Sequence, residues 1–287
     1  MQKVGMGMTT ERALVIGGGG VAGIAWATGI VAGLADAGVD VTGADLLQGT
    51  SAGSNVAAQL GSGLELAELV RRQVDPAVQS REIVPSLEKF AGLWESLAAT
   101  IEELPVDSVE RRRRIGALAL SAESVPEAER RAVIESRLPV HEWPARELRI
   151  VAVDAETGEL RVFDKDSGVG LVDAVTASSA VPMVWPCATI DGTRYTDGGV
   201  RTAVNADLAT GYGRVLVIAP MPDAELEAHV AGLVDTGARV EVIAPDEASV
   251  TAFGANPLDS ATRVPALEAG RAQAKTDAAR IAALWRD

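Results

Sequence analysis

Two kinds of hydrophobic pattern alternate along the chain. The short apolar run Ala13-Leu14-Val15-Ile16 predicts a strand buried on both faces of a parallel sheet, and Arg214 to Ala219 and Arg239 to Ala244 read as two more apolar strands. Residues 21–37 instead carry Ile24, Ile30, Val31 and Leu34 on one helical face, with Gly38 placed to close the helix. A second strand-to-helix unit follows, from Asp45-Leu46-Leu47-Gln48 through the turn at residues 49–53 into a helix from Ser54 to Leu60. Further on, Leu148–Val153 and Leu160–Phe163 predict a hairpin around Thr157-Gly158, residues 169–178 a short helix, and residues 190–195 a second hairpin. Residues 224–234 predict the crossover helix between the last two strands, and residues 266–285 a closing amphipathic helix. Strands alternating with helices define an α/β fold with a mainly parallel sheet, and no linker divides residues 1–287 into separate domains.

Residues 64–147 break this rhythm. They hold 16 acidic and 12 basic residues in 84 positions, a third of the segment, against 23% charged residues for the chain. Apolar positions recur there at helical spacing, as in Leu64, Ala67, Leu69 and Val70 or Leu93, Leu97 and Ile101, which predicts a helical insertion covering part of the core. Its run Arg111 to Arg114 reads as a solvated helix face, with phosphate head groups as the sharper alternative. The opposite extreme is residues 13–35, which carry no charge, are long enough to span a membrane and contain the small pair Gly29 and Gly33. Four consecutive glycines, Gly17 to Gly20, argue against a continuous span, since each costs a helix about 1 kcal/mol relative to alanine. Strand, glycine loop and buried helix are the better division, and neither an integral membrane segment nor a signal peptide is expected.

Composition narrows the function. With 26 basic and 40 acidic residues the 287-residue chain has a net charge of −14, which disfavours nucleic acid and anionic surfaces as electrostatic partners. One cysteine, Cys187, and two histidines leave no thiolate cluster or zinc site to build, so neither metal nor cofactor is expected, and a reducing, cytoplasmic location fits.

Three short motifs carry the chemistry. Gly18-x-Gly20-x-x-Gly23 sits between strand and helix, where converging N–H groups and the helix dipole favour an anion. The same spacing would suit a dinucleotide, but Asp40, the acid at the right distance for a ribose, lies in the interrupted stretch Gly38 to Gly43. Gly49-x-Ser51-x-Gly53 sets a serine on a tight turn between strand and helix, the geometry of a nucleophile elbow, although a plain glycine-serine turn has the same letters. A serine nucleophile needs a base. The order Ser51, Asp197, His229 is that of an α/β-hydrolase triad, whereas Asp197, pinned before Gly198 and Gly199, offers a carboxylate base on a glycine turn. His141, in the charged insertion, reads as a surface residue.

Glycine loop, G-x-S-x-G elbow and Asp-Gly-Gly in this order resemble the patatin-like phospholipase family. Ser178-Ser179-Ala180-Val181-Pro182, Ile190-Asp191-Gly192 and Tyr195-Thr196-Asp197-Gly198-Gly199-Val200, with Asn205 beyond, extend the resemblance over most of the chain outside the insertion. The resemblance implies a three-layer α/β/α fold and a lipid acyl hydrolase, of phospholipase A, lysophospholipase or esterase type. It implies Ser51 as nucleophile, Asp197 as base and the amides of Gly18, Gly19 and Gly20 as oxyanion hole, with Gly23, Gly49, Gly53, Gly198 and Gly199 supporting the motifs. The implied partner is a lipid or small ester met in transient membrane contact. The family often has a basic residue before the last loop glycine, where this chain has Ala22. A non-catalytic interaction protein on the same fold and a dinucleotide-binding oxidoreductase are the rival readings.

Overall fold

The computed structural model describes residues 11–85, 104–106 and 108–286. Strands β1 (Arg12–Ile16), β2 (Leu46–Thr50), β3 (Glu147–Asp154), β7 (Arg214–Ile218) and β8 (Arg239–Ile243) run parallel in the order β3-β2-β1-β7-β8. Three antiparallel strands extend the β3 side: β4 (Leu160–Phe163) and β6 (Thr193–Asp197) both pair with β3, and β5 (Ala188–Ile190) pairs with β6. Both expected hairpins and the β7-to-β8 crossover are present.

Side chains of β1 alternate between two cores, as a pleated strand requires. Leu14 and Ile16 enter a large core with helices α1 (Gly20–Asp36), α2 (Ala52–Gly61), α6 (Leu171–Ser178) and α9 (Arg263–Trp285). Ala13 and Val15 enter a smaller one under α7 (Leu226–Asp235), giving the expected α/β/α layering. Helix α8 (Glu247–Phe253) packs edge-on through Phe253 against Trp26, whose indole N–H donates to Ser249 Oγ at 3.0 Å.

Helix α1 is apolar all round because it is buried all round: every residue from Val21 to Leu34 is enclosed. Its small pair meets α9 rather than lipid. A Cβ at Gly29 would lie 2.2 Å from the Leu267 carbonyl oxygen, and in return one at Gly270 would lie 2.4 Å from that of Trp26. No described helix is long and apolar enough to cross a membrane.

The described part of residues 64–146 forms three helices, α3 (Leu66–Val74), α4 (Val109–Ser121) and α5 (Glu127–Arg137); Leu93, Leu97 and Ile101 lie outside the described residues. The arginine run on α4 departs from the expected solvated face. Arg112 is buried and its Nε donates to the Gly158 carbonyl at 2.7 Å, Arg113 and Arg114 are exposed and hold Glu110, and Arg111 is half-buried on a third side. Four consecutive helical positions sweep a full turn, so no single environment could serve them all.

Candidate active site

Ser51 stands alone between the end of β2 and the start of α2, with φ 54° and ψ −119°. A non-glycine residue held there carries strain of order 1–3 kcal/mol, which the surroundings must impose. Backbone contact imposes it: a Cβ at Gly53 would lie 2.0 Å from the Ile16 carbonyl oxygen, and one at Gly49 would lie 2.4 Å from the Gly53 oxygen. Polar groups hold the serine's own backbone. Its N–H donates to Ser178 Oγ at 2.9 Å, while its carbonyl accepts from Ser54 Oγ at 2.6 Å and from Asn55 Nδ2 at 3.2 Å. Asn55 Nδ2 also donates to Ser179 Oγ at 3.1 Å. Ser178 and Ser179 are visible in the sequence as part of a motif, but nothing local assigns them this task.

Asp197 reaches the same place through β3. Register pairs Thr50 with Val151 on one strand and Asp197 with Ala152 at the next position, so the ends of β2 and β6 meet over two consecutive residues of β3. Gly198 permits this closeness, since a Cβ there would lie 2.4 Å from the Val151 carbonyl oxygen. The Asp197 carboxyl is 4% exposed; Oδ1 accepts from Gly199 N–H at 2.7 Å, and Oδ2 has no hydrogen bond of ordinary geometry among the described residues. Burial pushes its pKa from 3.8 to about 6. The Ser51 hydroxyl, the Gly199 amide and the charge of Arg130 oppose that rise without cancelling it. Arg130 has no sequence signal: 3% exposed, it stacks on Trp185 with its guanidinium carbon 4.2 Å from the ring centre.

In the glycine loop the three residues differ. Gly18 N–H is already committed to the Ala203 carbonyl at 2.8 Å, and a Cβ there would lie 3.4 Å from Ser51 Cβ. Gly19 caps α1 and Gly20 begins it; their amides meet no acceptor among the described residues. Gly23 donates to the Gly19 carbonyl at 2.8 Å and lies under Pro220.

Gly18, Gly19, Gly20, Ser51 and Asp197 border one cavity of about 410 Å³, a volume in the small-molecule range. Its walls are mainly apolar, with Val106 and Ile115 from the insertion facing Val181, Met221 and Leu258. A family model described as patatin-like phospholipase matches residues 14–210, which include every one of these motifs. The chain belongs to that family.

Patatin-like phospholipases are lipid acyl hydrolases, and membership supports lipid hydrolysis in general terms. No curated protein matches the chain. Among solved structures it is similar to VipD from Legionella pneumophila, with a TM-score of 0.47 and 12% identity over 95% of this chain and 67% of that one. It is also similar to the type III effector protein ExoU, with a TM-score of 0.41 and 15% identity over 96% of this chain and 54% of that one.

Neither histidine of this patatin-like chain borders the cavity. His229 Nδ1 lies 3.5 Å from Asp207 Oδ1, and His141 is an exposed residue whose ring meets the Glu135 carbonyl. The order Ser51, Asp197, His229 therefore assembles no triad. Asp40 accepts from its neighbour Thr42 in an exposed loop, away from any strand end where it could hold a ribose. Among the described residues no group of three potential ligands is arranged for a metal.

Proposed function

We propose that the chain is a lipid acyl hydrolase in which Ser51 and Asp197 act as a two-residue catalytic pair. What carries this reading is the meeting of a strained, glycine-flanked serine with a buried, partly unpartnered carboxyl at the floor of a mainly apolar cavity. Asp197 Oδ2 takes the proton of Ser51 Oγ as that oxygen attacks the ester carbonyl carbon. Charge develops on the carbonyl oxygen, and the amides of Gly19 and Gly20, at the positive end of the α1 dipole, are the donors aimed at it. Gly18 contributes room rather than a donor, because its N–H is occupied. The tetrahedral intermediate collapses by expelling the alcohol, which leaves with the proton held by Asp197. Water then attacks the Ser51 acyl ester and gives a proton to Asp197; as the second tetrahedral intermediate collapses that proton passes to the departing Ser51 Oγ, which frees the fatty acid and restores both the serine hydroxyl and the Asp197 carboxylate. A carboxylate suits this task only when poorly solvated, and burial has made Asp197 a stronger base than an aspartate in water.

The apolar wall suits an acyl chain, and a brief contact with a lipid surface is the natural route by which that chain enters. The unpaired Cys187 supports a reducing, cytoplasmic location. The test is fatty-acid release from matched esters of one chain length, including a phospholipid, a lysophospholipid, a monoacylglycerol and a short-chain ester. Release by the wild type and none by Ser51→Ala is expected; equal release by both would end the proposal.

A further inference from the structure

Asn205 is wholly buried, does not border the cavity, and stands at φ 56° and ψ 41°, a left-handed conformation that asparagine tolerates better than most side chains. Its Nδ2 donates to Thr50 Oγ1 and to the Gly198 carbonyl, both at 3.2 Å, and to the Thr202 carbonyl at 2.8 Å. Thr50 immediately precedes Ser51 and Gly198 immediately follows Asp197, so one amino group joins the residues beside the nucleophile and the base. The backbone of Asn205 is held as well: its carbonyl accepts from Gln48 Nε2 at 2.8 Å and its N–H donates to Thr202 Oγ1 at 2.9 Å. A carboxamide can still turn about its last bond and exchange its donor and acceptor ends. Arg201 removes that freedom. Its Nη1 donates to Asn205 Oδ1 at 2.8 Å, and because a guanidinium only donates, the Nδ2 end is left facing Thr50 and Gly198. Asp207 fixes Arg201 in turn, accepting from Nη1 at 2.9 Å and from Nη2 at 2.7 Å.

We infer that Arg201 is a positioning residue for the Ser51 and Asp197 pair: by fixing which end of the Asn205 carboxamide faces Thr50 and Gly198, it sets the separation of the serine hydroxyl and the carboxyl. The inference rests on the acyl-hydrolase reading for the use made of that separation. Arg201 lies outside the stretches that carry the family resemblance, the nearest of which ends at Val200. Its charge is met by Asp207, so its leverage on the pair is geometric. Misplacing a reacting group by about 1 Å can cost on the order of a hundredfold in rate.

The test combines kinetics with structure. Wild type, Arg201→Met, Arg201→Lys, Asn205→Gly and the double variant Arg201→Met/Asn205→Gly are assayed on p-nitrophenyl butyrate, an uncharged soluble ester, with rates expressed per folded molecule from circular dichroism. Glycine suits the left-handed backbone of residue 205 and removes only the carboxamide. In Arg201→Met kcat is expected to fall at least tenfold with KM within about twofold of the wild type, and Arg201→Lys should keep part of the rate by retaining one donor. Because Arg201 acts through Asn205, the double variant should be no slower than Asn205→Gly alone. A kcat per folded molecule that does not change, a loss confined to KM, or losses that multiply in the double variant would each overturn the inference. Crystal structures of the wild type and Arg201→Met supply a readout that needs no turnover: the gap between Ser51 Oγ and Asp197 Oδ2 should lengthen in the variant, and an unchanged gap would overturn the inference. Failure of the hydrolase reading would show separately, as wild-type protein that turns over no ester although the gap still lengthens in Arg201→Met.

Discussion

The amide of Ser51 donates to the hydroxyl of Ser178 across 127 positions of sequence, at 2.9 Å and fully enclosed. That bond, with the Ser179 hydroxyl donating to the Ser51 carbonyl at 3.3 Å, anchors the elbow to the end of α6. In Ser178→Ala the buried N–H loses its acceptor, which costs about 1–3 kcal/mol. Thermal denaturation should record that loss. Ester turnover should fall by about tenfold or more while the affinity for substrate changes little, because the displaced group is the reacting one.

Gly18 and Gly53 separate chemistry from folding. The Cβ of Gly18→Ala would lie 3.4 Å from Ser51 Cβ and 3.9 Å from Oγ, ordinary contacts that need no backbone movement. This variant should melt close to the wild type but lose at least tenfold in kcat/KM, since the methyl group occupies the approach to Ser51. Gly53→Ala would press its Cβ to 2.0 Å from the Ile16 oxygen, which only displaced strands can relieve. A loss of more than about 3 kcal/mol in denaturant unfolding is expected, with activity lost alongside.

Asp197 links activity and stability to pH in opposite directions. As a base with a pKa of about 6, it should give a kcat/KM for an uncharged soluble ester that is level above pH 7 and falls about tenfold per pH unit below 6. The folded chain holds this proton more tightly than the unfolded chain, whose aspartate titrates near 3.8. The stability contributed by Asp197 is therefore present at low pH and lost as pH rises through that interval. Asp197→Asn does not titrate, so it should be inactive yet more stable than the wild type at pH 8, by up to about 3 kcal/mol, with the gain vanishing towards pH 4. Paired unfolding curves at the two pH values measure this.

Glu82 has the reverse sign. It is buried against Arg137, at 2.6 Å, and Arg263, which hold its pKa below the ordinary glutamate value in spite of burial. Arg130 adds a third buried cation nearby. Glu82→Gln leaves these arginines facing one another and should cost about 3–5 kcal/mol in denaturant unfolding near neutral pH. Because the stabilisation exists only while Glu82 is ionised, the gap between variant and wild type should narrow as the solution is made acid.

The parts of the molecule legible in sequence are those with a local signature. Ala13–Ile16, the glycine loop and the elbow each combine an apolar run with glycines within a dozen residues, and they lie where their pattern implies. Helix and strand limits moved by a few residues, as with Leu171 for an expected start at Val169. The pairing of Asp197 with Ala152, one step from the pairing of Thr50 with Val151, was not legible, because register is a property of two distant strands and neither periodicity contains it. Arg130 was missed for a related reason: a charged residue in a charged helix looks solvated until the opposite wall, here Trp185, is known. The arginine run misled in the same way, for composition treats as one patch what the helix divides among the core, the solvent and the cavity.

The central claim is that Ser51 is activated by Asp197 without a histidine. The most direct measurement is active-site labelling by a fluorophosphonate, followed by peptide mass analysis, of the wild type, Ser51→Ala, Asp197→Asn and His229→Ala. Modification of Ser51 in the wild type and in His229→Ala, with none in Ser51→Ala and at most a trace in Asp197→Asn, is the expected result. Labelling that survives in Asp197→Asn but disappears in His229→Ala would contradict it.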